Sequence, residues 1–373
     1  MSKFRHDSIR KILIRSVNWV GDAVMTTPAI SVIREHFPDA EITILANNLV
    51  SQLFLLHPGI DNIITFDRQG KHKGITGRLR LAAELRKQRF DLAIIFPNSF
   101  DSVVVPWLAG IPNRIGLCSD GRTLLLNGRY NTVKGANSEH EVDYYLNLLE
   151  HFGITGTRTP LHLVFSGEEE KNAAALLAKK GIQPGDFVLG INPGASYGSA
   201  KRWYPERFAA VASRLATEWS AKVVIFGGPG ETEIAADIEN GLHGAAVNLA
   251  GKTSMRELMA LIKRCNFFIT NDSGPMHIAA AFDVPLVAIF GSTDHTGTSP
   301  YSKNAVVVRG EVECTPCKLR ECPSDHRCMK AVTEELVISA ALRLKAQQFD
   351  DNRDISLLTL KCENGQEQRD DIR

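Results

Sequence analysis

The sequence predicts an α/β protein of two doubly wound, Rossmann-like domains facing a cleft. Three observations carry that expectation. Short apolar strands alternate with longer helical patterns, as βαβ units in a mainly parallel sheet require. The alternation pauses in a Gly-, Thr- and Pro-rich stretch around residues 153–167 and then restarts. A length of 373 residues also exceeds what one hydrophobic core ordinarily holds. The expected divisions are residues 1–165, residues 166–346, and a polar, mobile tail over 347–373 rich in Asp, Glu and Arg.

The first strand is KILIR, Lys11–Arg15, followed by the turn SVNWVGD and a helical pattern marked by Val24, Ile30, Ile33 and Phe37 that ends before Pro38. EITILA, Glu41–Ala46, is the second strand. Residues 62–66, a helix over 78–88 and an apolar strand over 91–96 continue the series. After the linker, strands are expected at 187–192, 222–226, 267–270 and 286–290, with helices starting near Pro205, Glu231, Ser254 and Ser273. In such sheets ligands bind beyond the carboxyl ends of the strands.

Charge is nearly balanced, with 43 Lys plus Arg against 42 Asp plus Glu. Bulk charge therefore offers no attraction to nucleic acid, and none is expected as a partner. The N-terminus is basic but lacks the apolar core of a signal peptide, and no later stretch is long and apolar enough to span a bilayer, so a cytoplasmic location is expected.

The strand-end segments hold the chemical candidates. In Asn18-Trp19-Val20-Gly21-Asp22, a carboxylate in a first helical turn can be held ionised and ready to take a proton from a hydroxyl; alternatively Asp22 simply caps the helix. The turn lacks G-x-G-x-x-G, and no P-loop motif occurs. In Asn192-Pro193-Gly194-Ala195-Ser196, backbone amides and the Ser196 hydroxyl can hold a phosphate, and Lys201 supplies positive charge; the plainer reading makes Lys201 and Arg202 a solvated basic pair. Glu231, after the Gly227–Gly230 loop, can accept bonds from ribose hydroxyls or merely complement a helix dipole. In the segment Asp272-Ser273-Gly274-Pro275-Met276-His277, Asp272 or Ser273 can cap a helix whose start forms an anion site, with His277 one turn in as a phosphate donor or a structural histidine.

Residues 68–89 contain eight Lys or Arg against Glu84 alone, a stripe suited to an anionic acceptor or an anionic membrane surface, or else a solvated helix face. Arg78 and Arg80 are its candidates, and Asn98 and Ser99 offer polar groups at a strand end. Cys314, Cys317, Cys322 and Cys328, with His326 nearby, suit structural zinc, a redox-sensitive thiol pair or free thiols; their place after the last predicted strand sets them apart from any reacting centre.

Taken together, NWVGDAVMTTPAI, PNSF, NPGASYGSAKRWYPERF, FGGPGETE and NDSGPMHIAAA resemble, in order and spacing, the ADP-heptose:lipopolysaccharide heptosyltransferases of glycosyltransferase family 9, type II more than type I. The resemblance spans about residues 11–344. It implies a GT-B architecture with an acceptor-binding first domain and a nucleotide-sugar-binding second domain. It further implies inverting transfer without an obligatory metal or other cofactor. On this chain Asp22 would be the base, Lys201 the diphosphate contact, Glu231 the ribose contact, and Asp272 to His277 the phosphate turn. The implied partners are ADP-heptose and the lipopolysaccharide inner core, with peripheral contact at the inner membrane. A GT-B sugar-nucleotide epimerase and a non-catalytic two-domain sugar-binding protein are the competing readings.

Overall fold

The computed structural model describes residues 5–119, 121–131 and 139–347, together with the backbone of Leu358–Glu363 and Gln366–Asp371. Two compact units divide the chain, Met1–Val164 and Phe165–Arg373.

The first unit contains strands β1 (Lys11–Arg15), β2 (Glu41–Ala46), β3 (Asn62–Thr65), β4 (Leu92–Ile95), β5 (Asn113–Leu117) and β6 (Gly128–Tyr130). They lie in the order β3-β2-β1-β4-β5-β6, with every pairing parallel. The central strands read as continuous apolar runs because both faces are covered: Ile12, Leu13, Ile14 and all of β4 are fully buried. Progression along the sheet reverses between β1 and β4. At such a switch point the loops leaving the two strands diverge to opposite faces and open a crevice. The loops concerned are Ser16–Trp19 and Phe96–Ser99.

The second unit repeats the device with β7 (Val188–Asn192), β8 (Lys222–Ile225), β9 (Ala246–Asn248), β10 (Phe267–Asn271), β11 (Leu286–Phe290) and β12 (Ala305–Gly310). Here β7 and β10 are the central parallel neighbours, buried along their whole lengths, and the order β11-β10-β7-β8 again reverses between them. Trp203, Phe208, Phe267 and Met329 anchor the core on one side of this sheet.

The tail departs from the expected mobile segment where it is described. Leu358–Glu363 forms a strand, β13, parallel to β12, and Gln366–Asp371 forms β14, antiparallel to β13. The sequence L-T-L-K-C-E alternates with a period of two, which fits a strand; its charged surroundings conceal the signal. Residues 348–357, 364–365, 372 and 373 of the expected tail lie outside the described residues.

Candidate functional site

In the second unit, the two switch-point loops are laced together by side chains. The Lys201 ammonium lies 2.6 Å from Asp272 Oδ2, and the Thr293 hydroxyl donates to the same oxygen at 2.5 Å. Both charges are largely withdrawn from solvent, with side-chain exposures of 14% for Lys201 and 5% for Asp272. The pair is therefore only weakly screened, and the solvated basic pair of the plainer sequence reading does not form at Lys201. Asn192 donates to the Ser273 hydroxyl at 3.0 Å. Asn271 accepts from the Trp203 amide at 3.1 Å and donates to the Pro193 carbonyl at 2.6 Å. These carboxamides tie the β10 turn to the loop after β7.

The helix Gly274–Ala281 starts as expected, with Pro275 in its first turn, but its capping differs. Ser273 occupies the N-cap position without a side-chain capping bond, and Asp272 is engaged by Lys201 instead. The first amides of this helix thus have no side-chain oxygen of Ser273 over them, which suits an external anion. Ser196 is exposed, whereas His277 is buried within the helix. Glu231 is also buried, and its Oε2 accepts from the Gly228 amide at 2.7 Å. A β-carbon on Gly194 would stand 2.0 Å from the Glu231 carboxyl carbon, so glycine is required where the loop crosses that carboxylate.

The cysteine segment is not apart from these loops. Ala200 N–H donates to the Arg320 carbonyl at 2.9 Å, Tyr197 O–H to the Lys318 carbonyl at 3.0 Å, and His326 Nε2 to the Ala200 carbonyl at 3.1 Å. Lys201 and Arg320 both stand over the Tyr197 ring. The separation expected from sequence order fails because the segment folds back under the Lys201 turn. Cys314, Cys317, Cys322 and Cys328 are free thiols, and among the described residues no group of three or more His, Cys, Asp or Glu side chains is arranged to hold a metal ion.

In the first unit, Asp22 is the third residue of the short helix Val20–Met25. Trp19 occupies the N-cap position, so Asp22 is a first-turn carboxylate and not the cap. It shares its surroundings with Glu141, the first residue of helix Glu141–His151. Burial, followed by the negative charge of Asp22, pushes the Glu141 carboxyl up to about 7. Tyr145, one helical turn on, hydrogen-bonds Glu141, and burial together with both carboxylates holds its phenol well above the usual range. A like-charged carboxyl pair with one member titrating near neutrality is an arrangement suited to moving protons.

Asn98 accepts from the Tyr144 hydroxyl at 2.9 Å, and its carbonyl accepts from Ser119 at 2.6 Å. The fully buried Arg122 donates to the carbonyls of Leu117 and Pro97 and to the Ser102 hydroxyl, fixing this loop from beneath while Asn98 and Ser99 remain exposed. Arg15 lies at the end of β1. Burial brings its guanidinium down to about 10, which still leaves it charged at neutral pH, and it donates to Asn18 Oδ1 at 3.2 Å. Arg78 pairs with Asp101 at 2.6 Å, beside the helix that follows Ser99, with Arg68 3.6 Å from the same carboxylate. Two residues on, Arg80 lies on the opposite side of its helix and donates to the Lys71 carbonyl at 3.3 Å. The structure therefore brings Arg78 towards Asn98 and Ser99 but turns Arg80 elsewhere.

Sequence reasoning missed Glu141, Tyr145, Arg15, Arg122 and Thr293. The charge at Arg15 inside an apolar strand was a usable signal; nothing local distinguishes Thr293.

Residues 78–327 match glycosyltransferase family 9 (heptosyltransferase). Lipooligosaccharide heptosyltransferase 2 of Campylobacter jejuni is 35% identical over 90% of this chain and 98% of its own length. The solved ADP-heptose lipopolysaccharide heptosyltransferase II of Escherichia coli superposes with a TM-score of 0.76 at 31% identity, covering 91% of this chain and 99% of that one. A glycosyl transferase family 9 structure from Veillonella parvula gives 0.82 at 28% identity, covering 92% and 99%. The two Rossmann-like units are those of a GT-B glycosyltransferase, and the epimerase and non-catalytic readings give way. The chain belongs to glycosyltransferase family 9, the heptosyltransferases.

Proposed function

We propose that this enzyme transfers heptose from ADP-heptose to the heptose/Kdo inner core of a lipopolysaccharide precursor, with inversion. The observation that carries the reading is the Lys201–Asp272–Thr293 cluster at the second switch point, in a chain of the heptosyltransferase family. Asp272 holds the Lys201 ammonium in place, and the donor diphosphate takes over that charge on binding. Ser196 and the amides beginning at Ser273 and Gly274 contact phosphate oxygens, His277 supports that turn from within, and Glu231 receives a ribose hydroxyl. Negative charge growing on the leaving diphosphate is then offset by Lys201 and the helix start.

In the other unit, Asn98, Ser99 and Arg78 address the acceptor, Arg80 being turned away from them, and Asp22 takes the proton of its hydroxyl. The hydroxyl oxygen bonds to the anomeric carbon as the bond from that carbon to ADP breaks, and ADP leaves with the electron pair. Reaction requires the two substrates to be brought together with water excluded. The proposed setting is the cytoplasmic face of the inner membrane.

The test is a screen of sugar nucleotides against inner-core acceptors with mass detection. Addition of one heptose from ADP-heptose is expected. Exclusive use of another sugar nucleotide, or conversion of donor without acceptor, would overturn the reading.

A further inference from the structure

The helix Gly74–Gln88 buries Gly77, Leu81, Ala82 and Leu85 against the first sheet, as an outer helix of a doubly wound unit should. Its opposite face is unusual. Ile75 is 77% exposed and Leu79 50% exposed, and Ala83 is exposed one turn further along. Residues four apart lie above one another on a helix, so these three form a continuous apolar stripe turned to solvent. At about 100° per residue, Arg86 falls in line with the stripe, about one turn beyond Ala83, and Lys87 and Arg80 fall along one side of it.

The stripe is held on a built surface. Asp67 accepts from the amides of Gly70 at 2.9 Å and Lys71 at 3.0 Å, and the Asp67 amide donates to His72 Nδ1 at 3.2 Å. A β-carbon on Gly77 would lie 2.2 Å from the His72 carbonyl carbon, so glycine there lets the preceding loop lie close against the helix. That loop sets Lys71 and Lys73 at the end of the helix from which Ile75 projects. Of the basic residues in 68–89, Lys71 is paired with Glu84, and Arg68 and Arg78 with Asp101. Arg86 reaches the Leu108 carbonyl beside Trp107, itself 47% exposed.

We propose that this helix face docks the enzyme on an anionic lipid bilayer, with Ile75 and Leu79 entering the acyl boundary. Lys73, Arg80, Arg86 and Lys87 meet lipid phosphates. An apolar stripe bordered by long cationic side chains, here Arg80 and Lys87 along one side with Lys73 and Arg86 near its two ends, suits an interfacial helix: the aliphatic stems lie along the apolar layer and the charges reach back to the headgroups. A free sugar phosphate would use the charges but has no use for two exposed aliphatic side chains. No helix among the described residues is long and apolar enough to cross a membrane, so the contact lies in the surface plane. The inference deepens the proposed function, which needs access to a lipid-linked acceptor, and it can be tested independently of it.

The test is co-sedimentation of the full chain with phosphatidylcholine vesicles containing about 30% phosphatidylglycerol, and no glycolipid. Binding is expected to the anionic vesicles, to weaken with salt, and to fall at least about tenfold in Ile75→Ser/Leu79→Ser. Hydrogen exchange of the unmutated chain should show vesicle-dependent protection over residues 74–87, a readout that does not depend on the variant's folding. Heptose transfer to a deacylated, soluble acceptor should be unchanged in the variant, and loss of transfer in both proteins would bear on the proposed function alone. Failure of the unmutated chain to bind, equal binding by the variant, or protection confined to another segment would each overturn the docking surface.

Discussion

The two switch-point sites of this enzyme are built in opposite ways. In the second unit the decisive charges have opposite sign and are already joined: Lys201 on Asp272, nearly buried, with Asn192 and Asn271 tying the surrounding loops. In the first unit the decisive charges have the same sign: burial and the charge of Asp22 disfavour ionisation of Glu141, beside a loop whose Asn98 and Ser99 are exposed. A site for a departing diphosphate needs fixed positive charge before the donor arrives, because preorganised charge needs little rearrangement as the bond breaks. A site that must accept a proton needs a group whose affinity for protons has been raised. On the proposed function, the contrast assigns leaving-group stabilisation to one unit and proton transfer to the other.

The largest effect should come from the proton-accepting side. Asp22→Asn keeps the shape and, since Trp19 rather than Asp22 occupies the N-cap position, removes no cap. Turnover is expected to fall about 10²- to 10⁴-fold with ADP affinity unchanged, measured by steady-state kinetics and calorimetry. Near-normal turnover would remove Asp22 from the mechanism. Next in size is Lys201→Met, which leaves Asp272 without its cation. A loss of about 10²- to 10³-fold in turnover, with weaker ADP binding, is expected. A Lys201 variant that binds ADP normally would mean that the Lys201–Asp272 pair only holds the fold.

How much of this was readable from the sequence follows from how local each signal is. The strands β1, β2, β7, β10 and β11 were legible because burial on both faces makes them continuous apolar runs. Edge strands such as Gly128–Tyr130 and Ala246–Asn248 are three residues long and carry no such run. Asp22, Lys201 and Asp272 were legible as polar residues at strand ends. That Lys201 and Asp272 meet was not, since the contact joins positions 71 residues apart. Glu141 resembles any acidic residue in a first helical turn, and only the fold places it beside Asp22. The cysteine segment misled for the same reason: its order along the chain said nothing about its return to Ala200.

The third prediction tests the carboxylate pair through pH. Glu141 titrates near 7 in the folded chain against a usual 4.5, so folding favours its protonated form. That contribution is fully present below about pH 4.5 and is lost as the pH rises through 7, amounting to roughly 3 kcal/mol at 1.36 kcal/mol per unit. Glu141→Gln cannot ionise and escapes the loss. Its stability relative to the unmutated enzyme should therefore rise between pH 5 and pH 8, as urea denaturation at the two values would report. The limb of the pH–rate profile near 7 should also disappear. An unchanged limb would show that Glu141 lies outside the proton transfer.

The smallest effect is expected at Arg78, and it separates acceptor recognition from simple surface pairing. Its ion pair with Asp101 is partly solvated, with side-chain exposures of 36% and 29%, so Arg78→Gln should cost stability no more than about 1 kcal/mol. Arg68 stays near Asp101 and retains part of the local balance of charge. If Arg78 meets an anionic acceptor beside Asn98 and Ser99, its loss should raise the acceptor KM a few-fold and leave the donor KM alone. Added salt should reproduce part of that rise in the unmutated enzyme, because a half-exposed contact is screened over roughly 10 Å at 0.1 M. An equal rise for donor and acceptor would instead mean that Arg78 and Asp101 hold the loop after β4 in shape, and acceptor recognition would then have to be sought at the Asn98 carboxamide and the Ser99 hydroxyl.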